Sequence, residues 1–319
     1  MDVKTYQALG LDVPWEDLHA RGHQVNGRAI SDIDESLATV GDVHYHPCPE
    51  AQTSGDLEGE IYTYEQWNQG EVFAGTQRKI SVYLPPSGYG DEPLSVLVFN
   101  DGEAYRSDRG PVRVPRVLEY LLKQGELRPT AAVFVMPGVP EKAALESDKQ
   151  VRYHLAHRQR SFEYDSCTPL YGEFLVRDVL PFVQRELQVE FTSDPARRGV
   201  CGISSGGMCA FNAAWYFPGQ FARVISHCGS FTNIRGANNY PYLIRSTPRK
   251  PLRVFLQSGE RDANIVTGSW PLANQQMADA LAYAGYDHRF EFGTGGHNLR
   301  HAGATFADTL RWIFSSRKS

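Results

Sequence analysis

The chain has 319 residues, 41% of them hydrophobic and 22% charged, enough for one large core with or without an N-terminal extension. Its formal net charge of -5 leaves no basic excess to neutralise a phosphate backbone, which excludes nucleic acid as the expected partner. Five cysteines, an odd number, do not read as a disulfide framework, and no stretch approaches the ~18 consecutive apolar residues of a membrane span.

In chain order, Met1-Asp2-Val3-Lys4-Thr5 lacks the basic start and apolar run of a secretory leader, so a cytoplasmic protein is expected. Residues 1–57 are polar and carry no sustained period, and the stretch Cys48 to Gly55 has loop composition; they read as an irregular arm or lid with one short helix. Within the arm, His44-x-His46-x-Cys48 sets three potential ligands at alternate positions. No fourth is signalled nearby, and no metal is predicted.

Residues 58–319 read as the main domain. Ile61–Tyr64 and Lys79–Leu84 alternate apolar and polar residues, the pattern of antiparallel strands with one wet face. Short apolar runs follow at Val96–Phe99, Ala132–Val135, Gly199–Cys201, Val224–Ser226 and Val254–Leu256. Bounded by Gly, Pro and Asp, they suit strands buried on both faces. Between and after them lie helical stripes: Met208, Phe211 and Trp215; Met277, Ala280, Leu281 and Ala284; Phe306, Leu310, Ile313 and Phe314. Pro271 and Gly285 punctuate the second of these. The alternation predicts an α/β domain: a mostly parallel central sheet, helices on both faces, antiparallel strands at its N-terminal side. Cys201 and Cys209 fall in its core segments, as small apolar residues.

Gly202-Ile203-Ser204-Ser205-Gly206-Gly207 matches G-x-S-x-G between a strand and a helix. That setting places a nucleophilic serine on a sharp turn, with glycines two before and two after for close backbone approach. Choosing Ser205 would put Ile203 where a glycine is needed, so Ser204 is the predicted nucleophile, with the Ser205 N–H in an oxyanion hole. A serine needs a base to take its proton. Gly295-Gly296-His297-Asn298 follows the last strand-like run, His288–Phe292, and precedes the final helix; the chain order Ser, acid, His makes His297 the base and His301 its competitor. The acid belongs on the loop after Val254–Leu256, where Asp262 is preferred and Glu260 is the alternative. A second oxyanion N–H is expected from Gly102 or Glu103, after the Val96–Phe99 strand.

Taken together, Asn100-Asp101-Gly102, Arg160-Ser161-Phe162-Glu163-Tyr164-Asp165, the Gly202–Gly207 elbow, Trp270-Pro271-Leu272-Ala273-Asn274-Gln275 and Gly295-Gly296-His297 resemble a family of esterases. It takes in enterochelin esterases, esterase D, feruloyl and acetylxylan esterases and mycolyltransferases, and enterochelin-esterase-like members are the nearest in pattern. The resemblance runs from about residue 58 to the C-terminus and implies the α/β-hydrolase fold with Ser204, Asp262 and His297 as its triad. Glu103 stands where many members have Gln, a departure that bears on the acyl pocket, and residues 1–55 match no domain of the family.

Three further residues are candidates for substrate contact. Arg160 and Glu163 are expected on a loop near the ligand crevice, where Arg160 would grip a substrate carboxylate or hydroxyl by its fork of donors or else a structural ion pair would fix the loop. Trp270 would stack on a sugar or phenolic ring or else pack on the sheet edge. No dinucleotide or P-loop motif is present, and no cofactor is predicted. The expectation is a serine esterase acting on a polar small-molecule or carbohydrate ester. Acyl transfer by the same triad and a catalytically silent binding module are the alternatives; oligomeric state is not legible.

Overall fold

The computed structural model describes residues 24–25, 28–29, 41–90 and 92–315. Apart from a pair of two-residue antiparallel strands, Gln24–Val25 and Arg28–Ala29, the arm or lid before residue 41, with its expected helix, lies outside them. From residue 41 the arm carries one 3-10 turn, Pro49–Gln52, and Cys48 and Ala51 are buried in the core of the main domain.

The strands of the main sheet are β1 Glu60–Trp67, β2 Thr76–Leu84, β3 Ser95–Asn100, β4 Thr130–Val135, β5 Arg198–Ile203, β6 Arg223–His227, β7 Arg253–Arg261 and β8 Asp287–Gly296. They hydrogen-bond in the order β8-β7-β6-β5-β3-β4-β2-β1, and Val139–Pro140 adds a short strand beside β2. Strands β3 to β8 run parallel; β1 and β2 join antiparallel at one edge. Besides the four-residue helix Glu141–Ala144, the helices are α1 Glu103–Arg106, α2 Val114–Lys123, α3 Lys149–Asp165, α4 Leu170–Phe174 continuing through a π turn and Leu180–Leu187, α5 Ser205–Tyr216, α6 Tyr240–Ser246, α7 Trp270–Tyr283 and α8 Arg300–Phe314. None described is long and apolar enough to cross a membrane.

Side chains alternate across a strand, and here each face meets its own core. Val96 and Val98 join α4, α5 and α7 on one side, while Leu97 and Phe99 join α2 and α8 on the other. Full burial of each such Val, Leu or Phe is worth ~1.5–3 kcal/mol, which is why β3 and β4 are buried at every position. Cys209 lies in the first core and Cys201 in the second. Pro271 stands in the first turn of α7 and Gly285, with φ 69°, just beyond its end, supplying the left-handed residue that stops the helix.

One expectation needs correcting. Arg160 and Glu163 lie on helix α3, not on a loop. The buried residues of that helix are Ser161, Glu163, Tyr164 and Asp165, a largely polar face that leaves no apolar stripe to reveal the helix in sequence.

Strand order reverses between β3 and β5: β4 lies to one side of β3, and the chain then crosses to β5 on the other. Open parallel sheets leave a crevice at such a switch point, beyond the carboxyl ends of the strands. The loops leaving β3 and β5 carry Asn100–Glu103 and Ser204.

Candidate active site

Ser204 occupies the turn between β5 and α5 with φ 59° and ψ -127°, a conformation that L residues adopt only when their surroundings enforce it. The enforcing contacts are made by the backbone: Ser204 N–H donates to His227 O at 2.9 Å, and Ser204 O accepts from Ser230 N–H at 3.0 Å. A Cβ on Gly202 would run into the Gly206 carbonyl, and one on Gly207 would lie 2.7 Å from Ser226 Oγ. The motif glycines are therefore a matter of space.

His297 follows β8 directly. Its Nε2 lies 2.8 Å from Ser204 Oγ, and its Nδ1 2.6 Å from Asp262 Oδ1. Asp262 also accepts from Ser258 Oγ at 2.6 Å and from Ala263 N–H at 2.7 Å, and its side chain is wholly buried. A carboxylate surrounded by donors accepts the Nδ1 proton, which leaves Nε2 as the acceptor for the Ser204 hydroxyl. Glu260 is exposed. His301 is turned elsewhere: its Nδ1 pairs with Gln257 Nε2 at 3.2 Å and its ring stacks on Tyr45 at 4.2 Å, while burial lowers its pKa against the opposing charge of Asp42.

The β3–α1 loop is held from several sides. Asp101, at φ 51°, donates its N–H to Tyr164 OH at 3.1 Å and receives Arg160 in a fork, Nε to Oδ1 at 3.1 Å and Nη2 to Oδ2 at 2.8 Å. Arg160 and Tyr164, one helical turn apart, thus brace the loop beside the serine. Asn100 Nδ2 donates to Gly206 O at 2.8 Å and ties this loop to the turn that carries Ser204. The Gly102 N–H donates to Val135 O at 3.3 Å. Glu103 and Ser205 are the first residues of α1 and α5, where an N–H has no acceptor within its helix. The Gly102 N–H is thus spent on Val135, whereas the Glu103 N–H opens α1. Its carboxylate is occupied by Arg106, at 2.8 and 2.7 Å, and Lys79, at 3.3 Å; led by the Arg106 bonds, these cations hold its pKa down to about 2.

Glu163 does not reach the site. It forms a buried two-point pair with Arg78, at 2.7 and 2.9 Å, and both side chains are sealed from solvent. That corrects its expected role at the substrate. Trp270 is also buried, at 3% exposure; its ring meets His297 edge-on at 5.7 Å and its Nε1–H donates to Ser230 Oγ at 3.2 Å. It backs the imidazole and offers no open stacking platform. Ser230 Oγ in turn lies 3.2 Å from Ser204 Oγ. With its acceptor side engaged by Trp270, Ser230 has its own hydroxyl proton available for Ser204 Oγ.

Sequence reasoning missed Ser230, Ser258 and Cys228. The first two sit near recognised segments, but nothing in their spacing marks them. Cys228, at φ 46°, places its thiol 3.7 Å from Gly296 O, and burial, followed by the Asp262 charge, pushes its pKa up. Cys228, Asp262 and His297 form the only close group of three potential metal ligands among the described residues, and the last two already bond each other. His44 and His46 are exposed while Cys48 is buried.

A parallel sheet with this strand order and a strained serine at its switch point define an α/β-hydrolase. The crystal structure of the enterobactin esterase FES from Shigella flexneri in the presence of enterobactin shares the fold, with TM-score 0.64 and 19% identity over 84% of this chain and 62% of that one. A ferulic acid esterase shares it too, with TM-score 0.59 and 16% identity over 80% and 98%. The family model described as "Putative esterase" matches residues 72–313, and the chain belongs to that family. Iron(III) enterobactin esterase of Dickeya dadantii (strain 3937) is 30% identical over 256 residues, 75% of this chain and 52% of the relative. The chain therefore spans about half the length of that curated relative.

Proposed function

We propose that this protein hydrolyses a carboxylic ester through an acyl-enzyme on Ser204. The observation that carries the reading is the hydrogen-bonded series Ser204 Oγ, His297 Nε2, His297 Nδ1, Asp262 Oδ1, with contacts of 2.8 and 2.6 Å, around a serine in a conformation that costs ~1–3 kcal/mol. In this mechanism Ser204 attacks the ester carbonyl while His297 takes its proton. The N–H groups of Ser205 and Glu103 receive the oxyanion, and the imidazolium, stabilised by Asp262, returns the proton to the leaving alcohol. Water activated by the same histidine then releases the acid. Arg160 acts by fixing Asp101 and the oxyanion loop.

The substrate proposed is a polar ester, either a siderophore lactone or an acyl or aryl ester of a sugar. The names of the enterobactin and ferulic acid esterase relatives support this class. The test is hydrolysis of p-nitrophenyl acetate and butyrate, methyl ferulate, acetylated xylan and a catecholate trilactone by the wild type and Ser204→Ala. Release from one polar ester that disappears in a folded Ser204→Ala protein is the expected outcome; full activity in that variant refutes the mechanism.

A further inference from the structure

The run Gly293-Thr294-Gly295-Gly296 reaches His297 as the last part of β8, and the N-terminal arm lies against it. A Cβ on Gly295 would sit 2.5 Å from Asp42 Oδ1, and one on Gly293 would strike Tyr45 Oη. A Cβ on Gly41 would meet the Thr294 carbonyl in the same way. Glycines on both sides thus allow two backbones to close on each other. Thr294 Oγ1 donates to Gly41 O at 2.9 Å, Thr294 N–H donates to Tyr45 Oη at 3.2 Å, and Tyr45 stacks on His301.

At the centre of this contact is Asp42, only 2% exposed. One carboxylate oxygen accepts the Gly296 N–H at 3.2 Å, and the other accepts the side-chain amide of Asn298. The two residues that flank His297 are therefore held by one buried side chain from some 255 residues earlier, at sequence separations of 254 and 256. Asn298 has little freedom to turn, because its Oδ1 accepts from Arg300 N–H at 2.8 Å.

We infer that Asp42 is a positioning residue for His297: the arm's carboxylate fixes the backbone on both sides of the base and sets its reach to Ser204. The inference rests on the esterase reading above and extends the working site into the arm. A histidine whose loop is tethered only at β8 would sample orientations that lengthen its contact with Ser204, and ~1 Å of misplacement costs on the order of 100-fold in rate.

The test uses the full chain with Asp42→Ala, Asp42→Asn and the exchange Asp42→Asn/Asn298→Asp, each checked for fold by near-UV circular dichroism. Two quantities are read: kcat and KM on an ester the wild type cleaves, and the rate at which a fluorophosphonate labels Ser204. Asp42→Ala should lower kcat and the labelling rate together by roughly 10–100-fold with KM nearly unchanged. Asp42→Asn sets a donor against the Asn298 amide and should also be slow. The exchange restores a donor–acceptor pair, with the Arg300 N–H still accepted at position 298, and should recover most of both rates. A folded Asp42→Ala or Asp42→Asn protein that labels and turns over like the wild type overturns the inference. If Asp42→Ala does not fold, slow Asp42→Asn with recovery in the exchange still upholds it, and no recovery refutes it. A wild type that neither labels nor turns over overturns the Ser204 reading, and this inference with it.

Discussion

Glu163→Ala separates a structural carboxylate from one that touches substrate. Its partner Arg78 has a side-chain exposure of 1%, and the Glu163 side chain has none. Besides the two-point pair, Glu163 accepts from Gly138 N–H at 3.2 Å and from Gln159 Nε2 at 2.9 Å. Truncation leaves a guanidinium buried between the Phe73 and Phe174 rings, at 5.6 and 4.3 Å, with Thr76 Oγ1 as a remaining acceptor at 3.0 Å. An uncompensated buried charge of this kind costs ~3–5 kcal/mol. For a domain this large, with ~2–4 °C per kcal/mol, the melting temperature should fall by roughly 6–20 °C. Replacing both partners, as Arg78→Met/Glu163→Leu, should recover much of that loss, because the desolvation cost of two charges goes with them. Thermal melts of both variants, beside KM at a temperature where all are folded, make the assay. A rise in KM for Glu163→Ala with an unchanged melt would refute the reasoning.

Asp262→Asn should keep the fold and lower kcat by ~10⁴-fold, the scale associated with a mis-set histidine tautomer; a loss under tenfold in steady-state kinetics would count against Asp262 as the acid. Trp270→Phe keeps most of the ring beside His297 but removes the donor to Ser230, and should cost ~1 kcal/mol, about a fivefold drop in kcat/KM. No change in the fluorophosphonate labelling rate would show that the Ser230 contact is idle. Burial, aided by His301, lowers the His227 pKa to about 3, so the folded state keeps that ring neutral where the unfolded chain, with a pKa near 6.5, takes up a proton. The stability linked to this group is complete above pH ~6.5 and is lost as pH falls toward 3. Urea midpoints measured from pH 7 to 5 should decline less in His227→Gln than in the wild type, and parallel curves would contradict the assignment.

Much of the fold was legible because its strands obey one rule. A strand buried on both faces must be apolar throughout, and the runs Val96–Phe99, Ala132–Val135 and Val254–Leu256 lie inside β3, β4 and β7. The nucleophile turn was legible for a related reason, since steric crowding at Gly202, Gly206 and Gly207 leaves a trace in the residues themselves. Helix α3 was not legible. Its packing consists of specific polar pairs, Arg160 with Asp101 and Glu163 with Arg78, and a residue's charge says nothing of where its partner lies.

The glycine run before His297 shows how one sequence feature can answer to two demands. As a loop signal it pointed correctly to the end of the last strand, because a chain leaving a sheet edge needs freedom to turn. In the fold, however, Gly293 to Gly296 belong to β8, and the space where the side chains of Gly293 and Gly295 would be is filled by Tyr45 and Asp42. A turn requires particular dihedral angles, and β8 has none that only glycine can supply, for none of these residues has positive φ. Close approach of the arm accounts for Gly293 and Gly295 where conformation does not. The arm is thus written into the sequence twice, once as a polar stretch without period and once as missing side chains some 250 residues later, and the second trace is the one that shows where it binds.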